Sequence, residues 1–139
     1  MFIEPDDFKV VIGQSALNVV AQADPTNLEN AEAEAIEEIS GYLRPKYDCT
    51  RIFSAEGPER NRQVLMYACD ITLYHLISSQ PGKMGMEIRK ERYERAIEWL
   101  RQVQSGVVIP DLPEATTESG ESAAPSIRYG SKPLVDNSF

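Results

Sequence analysis

The chain has little with which to build an active site. Its 139 residues include one histidine, His75, and two cysteines, Cys49 and Cys69. A zinc site of Cys and His ligands needs more donors than these, unless carboxylates join them. Two cysteines in a chain whose start, MFIEPDDF, has no basic and apolar leader are expected to be free thiols in a cytoplasm. No glycine-rich phosphate loop is present, and the eight glycines are scattered. Basic residues are too few for a phosphate-gripping surface: 14 against 22 acidic, a net charge of −8. The longest apolar stretch is interrupted by Asp70 and His75 and is too short to cross a bilayer.

What is present reads as helix. The expected fold is all-α, a helical bundle over 1–106 followed by a largely extended C-terminal arm over 107–139. Pro5, Asp6 and Asp7 suit the start of a short first helix that Gly13 ends. Asp24-Pro25, or a Thr26/Glu29 capping box, opens a helix over 25–44. Leu28, Ala31, Ala35, Ile36, Ile39, Tyr42 and Leu43 form its apolar stripe, and Pro45 stops it. Residues 47–57 read as a loop anchored by Phe53. A third helix is expected over 58–79. Its apolar residues surround nearly the whole circumference, with Asp70 the only charge between Arg62 and Lys83. A helix of that kind is buried on every side. A body of this size can barely enclose it, so Met66, Tyr67, Asp70, Leu73, Tyr74 and Ile77 are expected to supply contacts to a neighbouring subunit. The last helix, 86–104, carries Tyr93, Ala96, Ile97, Leu100 and Val103 on its core stripe, with Gly106 as its cap.

Each candidate site has a plain alternative. His75 lacks a supporting nucleophile and is expected to be a hydrogen-bonded core or interface residue. Glu29, Glu32, Glu34, Glu37 and Glu38 form an acidic block. It can serve acid–base or cation chemistry, form a solvated face, or point into a water-filled channel. The solvated face is favoured, because no Asp-x-Asp loop accompanies the block. Trp99 reads equally as a core-edge residue or an interface anchor. Cys69 reads as a small core hydrophobe and Cys49 as exposed. Beyond a polar spacer over 114–126, the chain ends in SIRYGSKPLVDNSF. Ile127, Arg128, Tyr129, Gly130, Leu134 and Phe139 there read as a docking peptide on a tether, against the plain reading of a disordered end.

The segments MFIEPDDF, ISGYLRPKYD, RQVLMYACDITLYHLIS, RYERAIEWLRQVQSG and RYGSKPLVDNSF occur in that order. This order resembles the Mu-like head-tail connector, or head-completion, proteins of tailed bacteriophages. The likeness is carried by the GYL…YD junction, Asp70 with Tyr74, Tyr93 with Ala96 and Leu100, and the R-Y-G-S tail. The 48–58 loop departs from the family pattern. The resemblance implies a virion protein at the head–tail junction, present in the host cytoplasm during assembly. It implies no enzyme activity, cofactor or membrane. The expected partners are the portal protein, tail or neck proteins and the chain itself, in a ring, generally twelvefold, that extends the DNA channel. DNA passes through without specific binding, and Glu29, Glu34, Glu37 and Glu38 are expected to line or rim the channel. The rival reading is a cytoplasmic helical adaptor with a C-terminal recruitment peptide.

Overall fold

The structure, a computed structural model, describes residues 2–13, 25–78 and 86–115. They are mostly helical, and no strand forms among them. The short first helix expected from Pro5 is present as a 3-10 helix, Pro5–Val10. Asp7 accepts the backbone N–H of Glu4 at 2.6 Å, which ties down the entry. Phe2, Ile3, Phe8 and Val11 are buried in the main core.

Helix α1, Pro25–Leu43, buries Ala31, Ala35, Ile39 and Leu43, one every four residues. Its start agrees with Pro25, and it ends one residue before the expected Arg44. The reading of 47–57 as a plain loop is corrected: Cys49–Ser54 forms a short helix, α2. Asp48 caps it by accepting the Arg51 N–H at 3.2 Å. Ile52 is its buried anchor, and Phe53 packs edge-on against Phe2 with ring centroids 5.0 Å apart.

Helix α3 spans Arg62–Ser78 and starts later than Pro58. Pro58 instead sits in a 3-10 turn, Gly57–Glu59, entered through Gly57 at φ 58°. Arg60 is then extended, and Asn61 caps α3 by accepting the Val64 N–H at 3.0 Å. Helix α4, Met86–Ser105, buries Ala96, Ile97, Leu100 and Val103. Gly106 closes it at φ 89°, as its position in the sequence predicts.

The three long helices pack on one another pairwise, and the N-terminal 3-10 segment packs on α3. Past Gly106 the chain does not leave the body at once. The N–H of Asp48 donates to the Pro113 carbonyl at 2.8 Å, and the N–H of Ala115 donates to the Lys46 carbonyl at 3.1 Å. Tyr47 and Glu114 thereby form an isolated antiparallel bridge. Residues 107–115 are therefore a strap on the bundle, so the expected boundary at 106, and the start of the spacer at 114, fall inside packed structure.

Candidate functional site

Two polar clusters interrupt the apolar seams between the long helices. In the first, Glu38 of α1 receives two side chains. His75 Nε2 lies 2.9 Å from its Oε1, and the Tyr93 hydroxyl donates to its Oε2 at 2.6 Å. Tyr74 stacks on Tyr93 with centroids 4.1 Å apart and meets His75 edge-on. Burial, then the hydrogen bond to Glu38, push the Tyr93 hydroxyl up from its ordinary range. His75 is thus the hydrogen-bonded histidine that the sequence predicts. Both Glu38 oxygens are engaged, an arrangement that ties α1, α3 and α4 together.

The second cluster joins α3 to α4. Arg92 Nε donates to Asp70 Oδ1 at 2.6 Å, and Asp70 is almost fully buried. Burial pushes the Asp70 carboxyl up, against the Arg92 hydrogen bond that pulls it down. Arg89 is also buried, and the same loss of solvent lowers its guanidinium below the usual range.

The residues expected between subunits are placed mainly inside one chain. Leu73 is 0% exposed, Ile77 lies in a satellite cluster with Ala31 and Leu76, and Tyr67 is buried against Trp99. Asp70 is committed to Arg92. The interface reading is corrected for these four residues. Segments that the sequence presents as minor, the N-terminal 3-10 helix above all, supply the missing cover for α3. Met66 and Tyr74 are half-buried. Trp99 is a core-edge residue, its ring 5.1 Å from that of Tyr67.

The acidic block divides. Glu29, Glu34 and Glu37 are exposed, and Glu37 forms a surface pair with Arg44 at 3.3 Å. Glu38 is engaged as above, so the expectation that it faces a channel is corrected. Glu32 is half-buried, and its carboxyl is raised by burial and then by Glu29. Among the described residues, no group of three or more His, Cys, Asp or Glu side chains can hold a metal ion. Neither cysteine is in a disulfide; Cys69 is buried, and Cys49 is half-buried rather than exposed. Ile127, Arg128, Tyr129, Gly130, Leu134 and Phe139 lie outside the described residues.

Two organising residues are absent from the sequence reading. Arg60 donates to Asp7, to the Phe2 carbonyl at 2.7 Å and to the Gly57 carbonyl at 2.9 Å. Asn61, besides capping α3, donates to the Asp111 carbonyl at 3.1 Å. The Asn before an apolar run was a legible cap signal; the partners of Arg60 lie too far along the chain to be read.

No described helix is long and apolar enough to cross a membrane. No curated protein and no solved structure matches the chain. A family match runs over residues 2–128, from the buried Phe2 through the three-helix body and the strap, and stops short of Tyr129. By that match the chain belongs to the family described as Bacteriophage Mu, Gp36, a family of phage structural or morphogenesis proteins.

Proposed function

We propose that the protein is a head-tail connector: a ring-forming virion component seated beneath the portal that carries the DNA channel toward the tail. The observation that carries this reading is the charge of the exterior of this phage-family body. Glu29, Glu34 and Glu37 are exposed on α1, which holds no basic residue, and Glu87, Glu91, Glu94 and Glu98 are exposed on α4 beside Lys90, Arg95 and Arg101. A carboxylate-rich wall lets duplex DNA slide, whereas a basic wall would hold its phosphates. The strap supports a role in assembly. It exposes Val107 at 76% and Ile109 at 70%, two of the four large apolar residues exposed among the described residues.

The partners in this reading are the portal on one side, tail or neck proteins on the other, and further copies of the chain around a twelvefold ring. The segment over 127–139 is the docking peptide and the portal its target, with Tyr129 and Phe139 as anchors. The residues after the strap are the tether. The reading involves no catalysis and no cofactor. The test is an image of the portal vertex of assembled particles, with the intact chain and with residues 127–139 deleted. The intact chain should add a ring of density below the portal, and the deletion should weaken its attachment. A vertex with no such ring would overturn the proposal. Undiminished attachment of the truncated chain would remove the docking role of the tail. The alternative, an adaptor with a recruitment tail, has no reason to close a ring and would show the first of these failures.

A further inference from the structure

Where α3 meets α4, three arginines gather about one buried carboxylate, Asp70. On α4, Ile88, Arg92, Arg95 and Trp99 recur at four- and three-residue spacing. At about 100° per residue this confines them to a stripe roughly 60° wide. Ile88 is 57% exposed, Arg95 is exposed, and Arg92 is half-buried. The glutamates of α4 fall on a separate stripe, about 100° further round the helix. Below the basic stripe, Arg92, Arg89 and Arg95 all act on the buried Asp70 carboxylate. Arg89 is only 7% exposed, and its Nη1 has no hydrogen-bond partner among the described residues. A guanidinium taken out of water without full pairing is unfavourable, and an anion brought close relieves it strongly, because little solvent intervenes. Arg89 does not itself reach the surface. It adds its charge to that of Arg92 and Arg95, which do.

The chain has a surface of the complementary kind. Helices α1, α3 and α4 pack pairwise, so part of the α1 surface is left uncovered by the other two. That surface carries Glu34, exposed at the flank beside His75 and Leu76 of α3, and Glu37, whose pairing with Arg44 is solvent-exposed and weak. We propose that the Ile88–Arg92–Arg95 stripe of one subunit receives the Glu34–Glu37 face of α1 from a second copy of the chain. The inference rests on the ring reading above and supplies its lateral contact. Two different patches that meet make a heterologous contact, the kind that closes rings. Opposed charges set its register, and Ile88 gives it apolar area. Glu34 and Glu37 then belong to the subunit seam, and the channel wall is left to Glu29 and the α4 glutamates. A net charge of −8 disfavours the competing occupant, a DNA phosphate.

The experiment is a charge swap in the full chain. Self-association is followed by sedimentation over a range of concentration and salt, with circular dichroism to confirm that each variant is folded. Arg95→Glu and Glu34→Arg, both at exposed positions, should each weaken association by about tenfold or more. An equal mixture of the two variants, or both changes in one chain, should restore it. Association that neither variant alters, a mixture that does not recover, or a wild-type chain that stays monomeric at millimolar concentration overturns the seam. So does duplex DNA binding by the wild type that Arg95→Glu abolishes, which would assign the stripe to phosphate. The ring reading is judged separately at the portal vertex. A normal ring built from Arg95→Glu subunits removes this seam and leaves the ring, whereas absence of a ring with the wild type removes the ring itself.

Discussion

Leu73 decides between two readings of α3. It is 0% exposed within a single chain. A glutamate placed there would bury an unpaired carboxylate, at several kcal/mol, out of the roughly 5–15 kcal/mol that holds a domain folded. Leu73→Glu is therefore expected to unfold the monomer, seen as loss of the helical circular dichroism signal, rather than to block assembly of a folded subunit. A folded, non-assembling variant would return Leu73 to the interface. Glu32 offers a test with a pH signature. Its carboxyl is raised by burial and by Glu29, so the ionised form is the one the fold disfavours. That penalty is present above the raised folded-state value and vanishes below the ordinary glutamate range, where both states are protonated. Glu32→Gln should raise the melting temperature near pH 7, with a gain in stability of roughly a few tenths of a kcal/mol from the Glu29 repulsion alone. The gain should fade as the solution is acidified toward pH 4. A gain independent of pH would mean that charge is not its cause.

At the scale of elements, Asn61 links two pieces that the chain separates by fifty residues. Its oxygen caps α3 and its amide holds the strap at Asp111. Loss of an N-cap costs about 0.5–2 kcal/mol. Asn61→Ala should show that loss together with faster proteolysis in the strap. Asn61→Asp keeps the acceptor and removes the donor, so it should keep most of the stability and still loosen the strap. Equal stability of the two variants, measured by urea denaturation, would show that the cap contributes nothing. The Glu38–His75–Tyr93 cluster acts between elements in the same way, joining all three long helices through one carboxylate.

For the molecule as a whole, the governing quantity is charge. With 22 acidic and 14 basic residues and several glutamates exposed along α1 and α4, the isolated protein should not bind duplex DNA measurably at physiological salt. Fluorescence anisotropy of a labelled duplex checks this. A salt-sensitive affinity in the micromolar range would contradict a non-gripping channel wall. The basic stripe on α4 is the place where such binding would begin, which makes the Arg95→Glu variant the control.

The sequence by itself determined the helical class, the three long helices to within a few residues, the cap at Gly106 and the bonded state of His75. These are local matters: 3.6-residue periodicity, a proline that stops a helix, a glycine that accepts positive φ. Tertiary structure alone decided what encloses α3. An all-round apolar helix announces burial, but periodicity cannot say whether its cover comes from the same chain or the next. Here Phe2, Ile3 and Phe8 supply part of it from a segment too short to read. The helix at Cys49–Ser54 was missed for a related reason. Six residues show barely one apolar turn, although Asp48 ahead of them was a cap in plain sight. The strap, the Arg60 contacts and the second role of Glu38 depend on partners far apart in the chain, and only the folded arrangement brings them within hydrogen-bond reach.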